Sequence, residues 1–465
     1  RPQGPGVLSL LPADSITEHT LDAEGVKLAY TATAGTLNLY DQSGERTAAI
    51  FYTAYALKNA GASRPVTFVF NGGPGAASAY LHLGLAGPRI LDFGPDGRDP
   101  AAARLRDNPQ TWLAFTDLVF LDPIGSGWSR TAKPDNTGFY GVNSDAQATA
   151  KAIALYLSRT GRAAAPKYLL GESYGGFRAV KVAHVLQQEQ GLVVSGIVML
   201  SPLIEGALIF GSDRFALSAA LQLPSLAATE LDRRHALTPE AVAEAERFAM
   251  TDYLTTLAGP EPQGEAARAF YARVAQMTGL SVDVVAKSRG FVRRAYIKHL
   301  RAAQGEIVSA YDASFAVPDP YPEFESSHGS DPILDGLTRV YGGAFAAYAR
   351  DELGFKTEMT YQLLARDISG KWDWGGGRSS ASASDDLREL LALVPSFKLL
   401  VAHGYSDMVV PYAVNRYVLD HIPRIGAPGR AALKLYRGGH MFYTIGASRI
   451  AFTADVKAFY GAPSQ

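Results

Sequence analysis

"KYLLGESYGGFRAVKVAHVLQQEQ", Lys167–Gln190, joins a short apolar run to a segment of helical spacing through the Gly-rich turn "GESYGG". The turn has the G-x-S-x-G pattern, with Ser173 at its point. In such an elbow the serine sits on a strained strand-to-helix turn, its hydroxyl exposed at the carboxyl end of a sheet. The bare pattern is weak evidence in a Gly-rich chain. An apolar strand before it and an amphipathic helix after it make it strong.

The surrounding sequence repeats this rhythm. "PVTFVF" (Pro65–Phe70), "DLVFLDP" (Asp117–Pro123) and "GIVMLSP" (Gly196–Pro202) read as buried strands. "SDAQATAKAIALYLSRT" reads as a helix with Ser144 as its cap. Apolar strands alternating with amphipathic helices indicate a mostly parallel sheet covered on both faces. The chain opens β-rich, with "GVKLAYTATAGTLNLY" and "RTAAIFYTAYAL". From about Gly206 to about Asp385 the pattern turns helical, including "TPEAVAEAERFAMTDYLTTL", where Thr238 caps and Pro239 opens a helix. "GGGRSSASASDD" (Gly375–Asp386) reads as a flexible loop. The strands "FKLLVAHG" and "ALKLYRGG" and a last helix then restore the α/β rhythm. The expectation is an α/β core of residues 1–205 and 386–465, interrupted by a mainly helical insertion, 206–385.

Composition narrows the function classes. The 465 residues carry a formal net charge of −1 and no cysteine. Charge balance gives no hint of nucleic acid or an anionic membrane as partner. Disulfides and thiol catalysis are excluded. No cofactor motif and no metal-ligand cluster is legible. The apolar stretch Gly191–Gly211 contains Pro202 and Glu205 and reads as strand then loop, not as a membrane span. No signal segment stands in the opening "RPQGPG".

A serine nucleophile needs a base, and the base an orienting acid. Seven of nine histidines follow Ser173. His184 lies in a helical segment; His235, His299 and His328 lie in the insertion; His403 ends a strand; His421 follows Asp420 in a helix. His440, in "YRGGHMFY" just after the last strand, is the base expected. Asp407 in "HGYSDMVVPY" is the acid expected, with Asp420 as competitor. The oxyanion needs backbone donors. Tyr174, after the nucleophile, offers one, and the "NGGPG" loop, Asn71–Gly75, offers the other.

"NGGPGAAS", "GESYGG", "GYSDMVVPY" and "GGHMF", with "NPQTWLAFTDLVFLDPIGSGWS" (Asn108–Ser129), together resemble the serine carboxypeptidases of the α/β-hydrolase fold. The resemblance covers roughly residues 50–205 and 395–445. It implies a triad of Ser173, Asp407 and His440, an oxyanion hole of Gly73 and Tyr174, and Asn71 and Glu172 as binders of the substrate's terminal carboxylate. It implies peptides with a free C-terminus as substrates, a helical cap over the site and activity favoured at acidic pH. Three positions depart from the family pattern: Val69 for a tryptophan, Ala76 for a cysteine and Ala86 for a glutamate. With the missing cysteines this resembles bacterial members, and a periplasmic or secreted location is the expectation. An esterase or acyltransferase on the same scaffold and a non-catalytic peptide-binding protein are the alternative readings.

Glu172 is the unusual feature, since an anion beside a nucleophile is counterproductive. Two carboxyl groups about 3 Å apart share a proton because both cannot ionise. The expectation is a protonated Glu172 that donates a hydrogen bond to a substrate carboxylate; the alternative is a Glu172 that only braces the elbow through backbone hydrogen bonds.

Overall fold

The computed structural model describes residues 6–94, 97–133 and 136–461. Arg1–Pro5 of the opening stretch lie outside the described residues. One large sheet organises the chain. Its strands are β1 (Ser15–Ala23), β2 (Val26–Tyr40), β3 (Arg46–Leu57), β4 (Val66–Phe70), β5 (Asp117–Leu121), β6 (Lys167–Glu172), β7 (Gly196–Leu200), β8 (Lys398–Gly404) and β9 (Ala431–Tyr436). They lie in the order β1-β2-β3-β5-β4-β6-β7-β8-β9, and the short strand Arg130–Thr131 pairs with β3. β1, β2 and β3 pair antiparallel, and β3 joins β5 antiparallel. From β5 to β9 every pairing is parallel. β4, β5, β6 and β7 are buried at every residue, as parallel strands covered on both faces must be.

The helices follow from local chemistry. α1 (Val142–Thr160) and α2 (Tyr174–Gln190) both end on a left-handed glycine, Gly161 and Gly191. α1 starts two residues before the expected cap. Gly141 is extended and bridges Asp373, and the Val142 N–H donates to the Asp373 carbonyl at 3.0 Å. A tertiary pairing thus fixes the helix start, and the Ser144 hydroxyl turns back to the Gly141 carbonyl at 3.4 Å.

Within 206–385 the chain packs in two ways. α3 (Ala216–Arg233), α4 (Pro239–Phe248), α5 (Gly264–Thr278) and α6 (Arg293–His299) surround a small core of their own, including Leu223, Tyr253, Val274 and Tyr296. Thr238 caps α4, accepting from the Ala241 N–H at 3.2 Å, with Pro239 in the first turn. The later part packs into the main cores. α7 (Val340–Asp351) contributes Tyr341, Phe345 and Tyr348, and the segment after it contributes Ala365, Ile368 and Trp372. A two-stranded hairpin, Glu306–Val308 with Ala316–Pro318, breaks the helical run.

The Gly/Ser stretch 375–386 is more ordered than its composition implies. Ser382 bridges Glu205, and the Ser382 and Ser384 hydroxyls donate to the Glu205 carboxylate at 2.7 and 2.9 Å. Ala381 and Ala383 are buried, and α8 (Ser384–Leu393) begins inside the expected loop. α9 (Tyr412–His421) and α10 (Gly446–Gly461) complete the sheet's cover. Among the described residues no helix is long and apolar enough to cross a membrane.

Candidate active site

Ser173 follows directly on β6, an interior strand of the parallel region, and precedes α2. Its φ of 59° and ψ of −124° lie where a side chain is strained, at a cost of about 1–3 kcal/mol. The surroundings over-determine this turn. The Ser173 N–H donates to the Leu200 carbonyl at 2.8 Å, and its carbonyl accepts from Leu203 at 3.1 Å. Gly171 allows the tight return, because a Cβ there would lie 2.0 Å from the Gly175 carbonyl oxygen. Gly72 is needed for the same reason, since its Cβ would meet the Tyr174 nitrogen at 2.6 Å. The "NGGPG" loop is thus laid directly on the elbow. The Tyr174 N–H opens α2, where a helix has no internal acceptor for it.

His440 and Asp407 come from the loops after β9 and β8. The His440 imidazole Nδ1 is 2.8 Å from Asp407 Oδ2, and both residues are buried. The other Asp407 oxygen accepts from the Val409 and Val410 N–H groups at 2.8 and 2.9 Å. The competitor Asp420 is exposed on α9. His403 is buried in β8 with Asn415 2.7 Å from its Nε2, and burial pushes its pKa down to about 3. Burial also opposes charge on His440, but the Asp407 charge and hydrogen bond, with the Glu172 charge, outweigh it and raise its pKa above 6.5.

The insertion laces these loops together, which the sequence does not reveal. The His440 N–H donates to the Tyr311 carbonyl at 2.5 Å, the Met408 N–H to the Ala310 carbonyl at 3.1 Å, and the Ser406 hydroxyl to Asp312 at 2.7 Å. Ser173, His440, Glu172, Asn71 and Gly73 line one cavity of about 90 Å³, with Tyr311, Leu334, Leu364 and Arg378 added from the insertion.

Glu172 is buried beside the nucleophile. Its Oε2 accepts hydrogen bonds from the Asn71 side-chain amide and from the Tyr443 hydroxyl, the latter at 3.1 Å. Its Oε1 has no hydrogen-bond partner among the described residues. Burial pushes the Glu172 pKa up to about 7, against the lowering effects of His440, Tyr443 and Asn71. Asn71 is itself fixed: its side-chain oxygen accepts from the Leu81 N–H at 3.1 Å, and its carbonyl from Arg178. Arg178 is wholly buried and pairs with Asp145 at 2.6 Å.

Tyr443 and Arg178 are the polar partners that motif reading missed. Tyr443 stands three residues after His440 in "GGHMFY", which is the only signal it leaves. Its ring fills the space over Gly84, two residues before Ala86. Val69 and Ala86 are fully buried apolar residues. Among the described residues no group of three His, Asp or Glu side chains could hold a metal ion.

Residues 28–204 match the serine carboxypeptidase family model. The serine carboxypeptidase resemblance read from the motifs is thereby borne out over this part of the chain. Serine carboxypeptidase-like 44 of Arabidopsis thaliana is 28% identical over 167 residues, which are 34% of this chain and 32% of that relative. About a third of that curated relative's length is matched. Among solved structures, the prohormone-processing carboxypeptidase Kex1(Δ)p from Saccharomyces cerevisiae aligns with a TM-score of 0.51 at 13% identity. It covers 98% of this chain and 95% of its own. The likeness carries the fold: an α/β-hydrolase with a mostly parallel sheet flanked by helices.

Proposed function

We propose that this protein is a serine-type carboxypeptidase that removes C-terminal residues from peptides. Ser173 Oγ attacks the carbonyl carbon of the last peptide bond while His440 takes its proton. Asp407 holds the imidazole in the productive tautomer. The backbone N–H groups of Gly73 and Tyr174 receive the oxyanion. His440 then protonates the leaving amine, and water hydrolyses the ester on Ser173. Residues 206–385 act as the cap, because four of the cavity's lining residues come from them.

The observation that carries this reading is Glu172: a buried carboxyl next to the nucleophile, with one oxygen lacking a partner and its pKa pushed up to about 7. In the protonated state Oε1 donates to the substrate's terminal carboxylate. Above about pH 7 the proton is lost and two anions face each other, so binding weakens as pH rises. His440 sets the opposite limb, since it must be neutral to act as base. The two groups are linked, because the Glu172 charge is one cause of the raised His440 pKa. A protonated Glu172 removes that contribution and favours the neutral base.

The test compares a blocked dipeptide with its C-terminal amide. KM for the acid climbs through pH 7, whereas KM for the amide stays level. Glu172→Gln, which donates at every pH, flattens the climb. Identical KM profiles for acid and amide refute the carboxylate role. Free-acid peptides left intact under conditions where simple esters are cleaved turn the reading toward an esterase.

A further inference from the structure

Catalysis as proposed leaves Arg378 unused. Of the described residues lining the cavity, it is the only lysine or arginine. Its guanidinium lies 4.7 Å from the centre of the Phe210 ring and 5.8 Å from that of Trp374. Among the described residues it makes no ion pair. The nearby carboxylate of Glu205 is engaged by Ser382 and Ser384. An arginine stacked on aromatic rings is held in place, so it loses little further freedom when its planar fork takes a carboxylate.

Its partners are not those of the terminal-carboxylate clasp. That clasp is built on Glu172, the residue before Ser173, with Asn71 and Tyr443. Arg378 is braced through different contacts: the Trp374 ring packs edge-on against Tyr174, the residue after Ser173, at 5.3 Å. Phe210 belongs to the turn that follows β7, near the Arg378 backbone at Gly206. We propose that Arg378 is a specificity-determining residue that selects an aspartate or glutamate side chain on the acyl side of the scissile bond, in the residue before the C-terminal one. This rests on the acyl-transfer reading of Ser173.

The experiment uses the full chain and N-blocked dipeptides at pH 6. Glu-Ala, Gln-Ala and Lys-Ala vary the acyl side; Ala-Glu and Ala-Gln vary the leaving side. An exposed charge pair gives a modest gain, and a bidentate one more, so kcat/KM for Glu-Ala exceeds that for Gln-Ala by roughly three- to tenfold. The preference shrinks in 1 M salt. Arg378→Gln makes the two substrates equal, and Arg378→Glu reverses the order in favour of Lys-Ala. A merely structural arginine produces no such reversal. Equal rates in the wild type, a Glu-Ala preference that survives Arg378→Gln, or an Arg378-dependent preference for Ala-Glu over Ala-Gln would each overturn the proposal. If no dipeptide is cleaved, the peptidase reading fails separately. The selectivity is then read from labelling by diphenyl phosphonates with a glutamate or a glutamine side chain. There the Ser173 Oγ–phosphorus bond forms as a phenolate leaves with the serine's proton, and intact mass reports the rate. Equal labelling rates again overturn the proposal.

Discussion

Tyr443→Phe keeps the ring over Gly84 and removes only the hydroxyl that donates to Glu172 Oε2 at 3.1 Å. That hydrogen bond favours the charged carboxylate, so it holds the Glu172 pKa below where burial alone would put it. A hydrogen bond to a charged group contributes about 1.5–3 kcal/mol. At 3.1 Å the bond is long for O–H donation to an anion, so the lower end applies. With about 1.4 kcal/mol per pH unit, the midpoint moves up by about one unit. The wild-type midpoint near 7 becomes about 8 in the variant. KM for a free-acid dipeptide is then the same in both proteins at pH 5. At pH 8 the wild-type KM is about elevenfold above its acid plateau and the variant's about twofold, so deleting a contact tightens binding about fivefold. The assay is KM against pH from about 5 to 9, with the C-terminal amide as a control that should not shift. A midpoint that stays put, or that falls in Tyr443→Phe, refutes the reasoning. A fall would mean that the tyrosine oxygen accepts from a protonated Glu172.

Other outcomes follow from the same contacts. Ser173→Ala and His440→Ala should each lower turnover by about three orders of magnitude or more with the fold intact, and the double variant should be little worse, because a triad acts as a unit. More than about a tenth of activity left in His440→Ala would rule it out as the base. Asp407→Asn should be severe and Asp420→Asn near neutral in kcat, since Asp420 is exposed and Asp407 holds His440 Nδ1. Arg178→Met leaves Asp145 buried and unpaired and frees the Asn71 carbonyl, so unfolding in urea should show a loss of about 3–5 kcal/mol, partly recovered by adding Asp145→Leu. A single-variant loss under about 1 kcal/mol would mean that the pair does not brace the elbow.

The sheet was legible because its signal is local. The apolar runs at β4, β5, β6 and β7 are fully buried, and burial on both faces leaves no room for alternation. The elbow was legible for the same kind of reason: Gly171 and Gly72 are fixed by backbone approaches under 3 Å that a side chain would block. The motif loops around Asn71, Ser173, Asp407 and His440 also lie at the ends of strands that short-range pattern can place. What the sequence could not carry was any partner chosen across the fold. Ser144 reads as a cap, yet Asp373 fixes the start of α1 more than 200 residues away in sequence. The Gly/Ser stretch reads as a free loop, yet Glu205 orders it and so brings Arg378 to the cavity. Glu172 by itself announces only an anion beside a nucleophile. Its elevated pKa comes from burial, which outweighs the hydrogen bonds from Tyr443 and Asn71, groups drawn from opposite ends of the chain, because desolvation depends on everything that surrounds a charge and not on its neighbours in sequence.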